Sequence, residues 1–313
     1  MPIHPDPACI VGAFEHPTRK APDKTVAQLH AECAAGALAD AGLAKDNVDA
    51  YFCSGDAPGM GPTSMIDYLN LRVRHSESTD LGGCSYLALV AHARDAIAAG
   101  RCDVALITLA GRPRSEGHSG TTPRTRAGTP EAPWEAPYGL STVNGYGMVA
   151  QRHMHEFGTT SEQLAWIKVA ASQHAQHNPH AMLRDLVTVQ DVLDSPLISD
   201  PLHRLDCCVV SDELLQLEDL GFCKKGEGGR FVADGNLISG VGRLPFNTDG
   251  GGLCNNHPAN RGGMTKVIEA VRQLRGEAHP AVQVKDCGLA LAQGIGGNLA
   301  TRHGSATLIL ERQ

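Results

Sequence analysis

Apolar positions are densest between Cys84 and Ala99. Leu87, Leu89, Val90, Ala91, Ala93, Ala96, Ala98 and Ala99 leave only His92, Arg94 and Asp95 as a polar face. A helix patterned in this way is a buried one. Gly82 and Gly83 permit a tight turn into it, and Gly100 is placed to stop it. Upstream, Val26, Leu29, Cys33, Ala37, Leu38 and Ala41 recur near helical spacing over Thr25–Ala41, with Gly42 as terminator; Met65–Val73 reads as a further helix. Short apolar runs at Ala8–Phe14, Val48–Cys53, Ser76–Leu81 and Asp103–Leu109 predict strands. The order β-α-β-α-β-α-β is that of an α/β sheet with crossover helices.

From Arg112 the pattern lapses. Arg112–Pro137 is rich in Gly, Pro, Ser, Thr and Arg without a hydrophobic period, the character of a loop kept for function. Helices are predicted at Ser141–Phe157 and Ser161–Gln176, a short one at Thr188–Asp191, and a return to strand at Leu205–Val210. Arg112–Arg204 therefore reads as an excursion from the sheet, without a sheet of its own. The last third repeats the first in outline: a helix at Thr265–Leu274, strands at Gly288–Ala292 and Ala306–Leu310, and Gly-rich loops at Gly250–Pro258 and Gln293–Gly297.

Composition narrows the partners. With 313 residues and a formal net charge of −7, the chain is long enough for two domains and offers no basic stripe for nucleic acid. No window is apolar enough to span a membrane, and Met1–Cys9 lacks the apolar centre of a secretory signal, so the expected compartment is the cytoplasm. Ten cysteines, none spaced C-x-x-C, point to reduced thiols rather than to zinc or a disulfide frame. Cys207 and Cys208 fall in the predicted Leu205–Val210 strand.

Cys84 is the candidate nucleophile. At the first turn of a buried helix, unsatisfied N–H groups and the dipole favour a thiolate; the alternative is a small buried thiol. His174, His177 and His180 repeat at metal-like spacing but precede or straddle Pro179, which suits a solvated helix end. His153 and His155 lie on different helix faces and cannot chelate together. Gly226–Gly229 lacks the Lys-Ser/Thr of a phosphate loop. Arg112, Arg114, Arg124 and Arg126 are placed to meet an anionic group or to sit in solvent.

G-G-C-S before the buried helix, N-N-H-P after a glycine run, G-I-G-G near the end and L-E-D-L-G-F-C-K-K-G-E-G-G between them, together with S-E-Q-L-A-W-I-K-V-A-A-S-Q-H-A-Q-H-N-P, resemble the thiolase superfamily. More narrowly they resemble its sterol-carrier-protein-type, lipid-transfer-like branch. The resemblance implies two βαβαβαββ halves in a five-layer αβαβα body. It places an N-terminal half at 1–213, a loop domain inserted at about 112–204, and a C-terminal half at 214–313. It assigns the acyl-accepting nucleophile to Cys84 and the proton-accepting histidine to His257. Gly296 and Gly297 would supply N–H groups near an oxyanion, and Arg112, Arg114, Asn256 and Gln293 are candidates for substrate contact. No permanently bound cofactor and no metal are implied; acyl-CoA is the substrate.

Two departures qualify this picture. The family's second catalytic cysteine falls on Gly294, and a histidine frequent just before it is Gln293 here, so a base for deprotonating an α-carbon is missing from both places. Cys254 is a remote substitute. In addition, Ser211-Asp212-Glu213 runs directly into Leu214-Leu215-Gln216, where relatives place several more elements. A real gap there would shorten the second half at its start and leave sheet edges unpaired, predicting weak stability and lost activity. The implied activity is acyl-CoA acyl transfer through an acyl-cysteine. The alternatives are a non-catalytic or partner-dependent thiolase-like subunit, an aryl-ketone acetyltransferase subunit, and a retro-aldol lyase on steroid side-chain CoA esters. A homodimer and a small zinc-ribbon/OB-fold partner are expected from the same resemblance.

Overall fold

The computed structural model describes residues 8–55, 57–117, 121, 128–207, 217–257, 262–298 and 302–313. Its first helix, α1 (Val26–Ala41), is set by a reciprocal cap: the Thr25 hydroxyl accepts from the Gln28 N–H at 3.1 Å, and the Gln28 side chain accepts from the Thr25 N–H at 2.8 Å. Gly42 then ends it in the left-handed region at φ 66°. Next come β1 (Ala50–Phe52), α2 (Pro62–Leu69), β2 (His75–Glu77), α3 (Ser85–Ala98) and β3 (Ala105–Ile107). The three strands form one parallel sheet in the order β2-β1-β3.

Strand alternation explains how this sheet is sandwiched. Tyr51 packs with Ala34 of α1 and Met65 of α2, while Ala50 and Phe52 on the other face pack with Tyr86, Leu89, Ala93 and Ala96 of α3. The far side of α3 presents Leu87 to a third cluster. This cluster holds Val267 and Ala270 of the helix Gly263–Arg275 and Ala292 of the C-terminal hairpin. Helix α3 is thus covered on both sides, as its apolar pattern requires.

The excursion contains α4 (Ala132–Glu135), α5 (Thr142–Phe157), α6 (Ser161–Ala175) and α7 (Val189–Asp194), with Thr160 and Thr188 capping α6 and α7. It carries its own antiparallel ribbon, β4 (Leu197–Ser199) and β5 (Leu202–His203), which sequence periodicity did not disclose. The rest of the chain holds α8 (Gly228–Val232), α9 (Gly251–Cys254), α10 (Gly263–Arg275) and the hairpin β6 (Leu289–Asn298) and β7 (Arg302–Glu311).

Several expectations are corrected. Among the described residues Ala8–Phe14 pairs with no strand: the Ala13 N–H donates to Asp40 Oδ2 and the Val11 carbonyl accepts from Arg275, so side chains take two of its backbone groups. Leu205–Cys207 is not strand, and Cys208–Val210 lies outside the described residues, as does the Glu213–Leu214 junction. Gln293–Gly297 is not a loop but the middle of β6, in register with β7 from Leu289–Glu311 to Asn298–Arg302. Among the described residues the last third does not repeat the first: it is an antiparallel hairpin against a three-stranded parallel sheet. Four layers of the implied five are present there (helices α1 and α2, sheet, helices α3 and α10, hairpin), and Leu289, Leu291 and Ile309 stand exposed on the outer hairpin face. His174 is buried, not solvated, with its Nε2 accepting from the Ser239 N–H at 2.9 Å. It belongs to the α6–α8 side of the fold.

Candidate functional site

Cys84 closes a single 3-10 turn, Gly82–Cys84, and serves as the cap of α3. The turn is locked by Ser85: its Oγ accepts from the Leu81 N–H at 2.8 Å and donates to the Gly82 carbonyl at 2.7 Å. The Cys84 thiol is fully buried and donates to the Leu81 carbonyl at 3.3 Å. Burial pushes its pKa up from the ordinary thiol value, a hydrogen bond to its own backbone acting the other way. The sequence reading expected the helix start to favour the thiolate. In the folded chain, loss of solvent outweighs that position.

A slot of glycines surrounds the turn. A Cβ on Gly296 would collide with the Leu81 carbonyl oxygen, and one on Gly82 would lie 2.6 Å from the Gly297 nitrogen. Gly263, at the start of α10, and Gly294 approach the Gly83 carbonyl, to 2.7 Å and 3.5 Å from where their Cβ atoms would sit. From β7, a Cβ on Gly304 would sit 3.6 Å from Cys84 Sγ. The Leu81–Cys84 turn is therefore approached closely by α10, β6 and β7 because each presents a glycine to it, and Gly304 is the one beside Cys84 Sγ. Gly296 and Gly297, the expected oxyanion donors, lie in the ladder opposite Gly304 and His303 and border this turn.

His257 approaches from the other direction. A Cβ on Gly262 would come within 3.0 Å of its Cδ2. The Gly262–Gly263 pair consequently touches His257 with one residue and the Cys84 turn with the next, so the fold brings the two motifs, distant in sequence, to opposite sides of one peptide link. His257 and Asn256 open onto a groove of ≈ 2190 Å³, whose lining also includes Arg112, Arg114, Val90 and Met264 but not Cys84. Arg112 donates to the Lys24 carbonyl at 2.6 Å, and Arg114 contacts Met182 Sδ at 3.8 Å. Arg124 and Arg126 lie outside the described residues. Gln293 is turned away: its neighbour Gly294 faces the Cys84 turn, and its own amide donates to Ser305 Oγ at 3.1 Å on the outer hairpin face. Cys254 is buried against the Lys168 ammonium at 3.1 Å and does not replace a second catalytic thiol at this turn.

Sequence reading missed Gly263 and Gly304, although a glycine inside a strand such as His303-Gly304-Ser305 is itself a signal of close backbone approach. It also missed Arg19, Lys168 and Asn255, for which no local pattern exists. Among the described residues no group of three or more His, Cys, Asp or Glu side chains could hold a metal ion. No described helix is long and apolar enough to cross a membrane.

Residues 200–312 match the thiolase C-terminal domain-like family. The acetyl-CoA acetyltransferase of Methanothermobacter thermautotrophicus is 26% identical, covering 89% of this chain and 93% of its own length. That alignment spans 362 positions against 313 residues here, so at least 49 positions of this relative have no counterpart in the chain. The sterol carrier protein 2 of Rattus norvegicus is 37% identical over 48% of this chain and 42% of its own. Among solved structures, the Ltp2-ChsH2(DUF35) aldolase superposes with a TM-score of 0.80 and 26% identity, covering 93% of this chain and 94% of that one. The monomeric SCP2-thiolase like protein type 1 from Mycobacterium smegmatis shares the fold at a TM-score of 0.64 and 17% identity, over 97% of this chain and 76% of that one. With the G-G-C-S turn, His257 and the glycine-lined hairpin gathered in one place, the chain is similar to the thiolase superfamily and its sterol-carrier-protein-like branch, and residues 200–312 carry the match to the thiolase C-terminal domain-like family.

Proposed function

We propose that the protein is an acyl-CoA acyltransferase in which Cys84 carries the acyl group. The observation behind this reading is the seat of Cys84: at the start of α3, in a turn that glycines of α10, β6 and β7 approach closely, with Gly304 beside its Sγ and with His257 against Gly262, next to the Gly263 that meets the turn. His257 takes the thiol proton, the sulfur attacks the thioester carbonyl, and the backbone around Gly296 and Gly297 faces the developing oxyanion. The C–S bond to CoA then breaks, and the imidazolium returns the proton to the departing thiolate. The net products are S-acyl-Cys84 and free CoA. Transfer of the acyl group to a thiol reverses these steps and needs no further base. Carbon–carbon bond formation needs one at the α-carbon; Gly294 offers none, and Gln293 points elsewhere. The groove beside His257, with Arg112 and Arg114 on its rim, is the proposed approach for the acyl-CoA.

Intact mass spectrometry after incubation with short and medium acyl-CoAs tests the reading. An acyl-sized mass gain is expected on the wild type and absent from Cys84→Ala; an adduct that persists in that variant overturns the role of Cys84. The likeness to an aldolase structure supports a second reading, retro-aldol cleavage of a β-hydroxyacyl-CoA. Under it, cleavage products form without an adduct and survive in Cys84→Ala.

The shortened second half bears on how the activity is assembled. Its uncovered hairpin face fits a partner-dependent subunit, and a small zinc-ribbon/OB-fold chain or a second copy of this one is the proposed cover, within the cytoplasm. Adduct formation that appears only when such a partner is co-expressed distinguishes this arrangement from a self-sufficient enzyme.

A further inference from the structure

The stretch just before His257 is held from three remote parts of the chain. The Leu253 carbonyl accepts from the Lys168 ammonium of α6 at 2.8 Å. The Cys254 and Asn255 carbonyls accept from the N–H groups of Leu183 and Met182 at 3.0 and 3.2 Å. The Asn255 side chain is 1% exposed and saturated. Its Oδ1 accepts from Arg19 at 3.0 Å, while its Nδ2 donates to Asp249 Oδ2 at 2.8 Å and to Glu15 Oε1 at 3.3 Å. Arg19 in turn pairs with the same Glu15 oxygen at 2.7 Å, and Arg272 lies 3.5 Å from the other Glu15 oxygen.

The charges fix the amide. A guanidinium on one side and two carboxylates on the other leave a single orientation that satisfies all three, and reversing it would place oxygen against oxygen twice. A two-residue step spans at most about 7 Å of chain, so fixing Asn255 restricts where His257 can sit. Arg19 and Glu15 are 236 and 240 residues away in sequence, and together they tie the N-terminal segment to this loop.

We propose that Asn255 is a positioning residue for His257, clamped by Arg19 and Glu15 of the N-terminal segment and by Asp249. The proposal rests on the reading of His257 as the proton acceptor. Asn255→Asp keeps the shape of the side chain but replaces the Nδ2 donor with an oxygen facing Asp249 and Glu15. Arg19→Gln removes the cation while leaving the amide in place.

The experiment follows the imidazole resonances of histidine-labelled protein by NMR across pH, with His257 assigned through His257→Gln. It also measures acyl-adduct formation on Cys84. In both clamp variants the His257 ring signals and their titration midpoint shift while signals of His92 and His303, far from the clamp in sequence, stay in place. Adduct formation falls roughly 10- to 100-fold in Asn255→Asp, as expected for a displaced catalytic group. Adding Asp249→Asn to Asn255→Asp restores a donor–acceptor pair and moves both readouts back toward the wild type. His257 signals unchanged in Arg19→Gln and Asn255→Asp overturn the clamp. If Asn255→Asp does not fold, the Arg19→Gln spectrum alone decides. A wild type that forms no adduct, with its His257 signals still moved by the variants, defeats the acyl-transfer reading and leaves the clamp standing.

Discussion

Gly296 and Leu81 are packed so closely that a Cβ on the glycine would collide with the carbonyl oxygen of the leucine. The same oxygen accepts the Cys84 thiol at 3.3 Å. Any side chain at 296 therefore displaces the acceptor that holds the candidate nucleophile. The obstacle is backbone, which cannot swing aside as a side-chain end can.

Gly296→Ala is expected to cost at least about 3 kcal/mol, at the upper end of overpacking penalties. Gly100→Ala is the comparison: Gly100 is left-handed at φ 69° but faces open space, so only conformational strain of about 1–2 kcal/mol applies. Urea denaturation of the two variants measures the difference, and equal losses would show that the slot is not tight.

Glu218 ties the sequence L-E-D-L-G-F to the excursion. Its Oε1 accepts from the His153 ring at 3.0 Å and from the Gly228 N–H at 2.8 Å, with both side chains buried. Burial by itself raises its pKa, but hydrogen bonds from the Gly226 and Gly228 backbone and from His153 outweigh it and hold the group below the usual carboxylate value. A depressed carboxylate adds stability above its unfolded pKa and loses it as pH falls through the folded one. Glu218→Gln should cost about 1–3 kcal/mol at neutral pH and flatten the acid limb of the melting curve below about pH 4.5.

Glu269 carries the opposite sign. Burial, then the negative Asp249, pushes its pKa up to about 7, against Arg272, the Thr248 hydroxyl and Gln273. A raised pKa means that stability is present below the unfolded value near 4.5 and is lost as pH rises through about 7. The wild-type melting temperature should therefore decline between pH 5 and pH 8 by more than that of Glu269→Gln. Parallel declines would refute it.

His30 responds to acid. Its Nδ1 meets Thr108 Oγ1 at 2.7 Å, its Nε2 is buried without a hydrogen bond, and burial lowers its pKa to about 4. A depressed histidine supports the fold above its unfolded pKa of 6.5 and stops doing so as pH falls toward 4. A shift of that size is worth on the order of 3 kcal/mol by pH 4. His30→Gln, which does not titrate, should lose less stability than the wild type between pH 7 and pH 4.5 in thermal melts.

Local pattern was enough for most helices and for the identity of the candidate nucleophile. Thr25, Ser141, Thr160 and Thr188 each precede an amphipathic or apolar run, and each accepts a hydrogen bond from a backbone N–H of the first helical turn. Strands were less legible. Ala8–Phe14 has strand composition, yet pairing depends on a neighbour, and Asp40 and Arg275 take its backbone groups instead. Gln293–Gly297 reads as a glycine loop, but glycine also allows a strand to press against another backbone, and only the neighbouring turn decides between the two.

The chain by itself determined that Cys84 opens a buried helix and that His257 follows a glycine run, because helix periodicity, caps and glycine positions are local properties. The tertiary structure decided the rest. It set His257 against Gly262 and the turn that carries Cys84 against Gly263, took solvent from the thiol so that its pKa rises, and turned Gln293 outward by strand alternation. It also joined Arg19 to Asn255 across 236 residues. Burial and long-range pairing belong to the packed chain as a whole, and no window of sequence contains them.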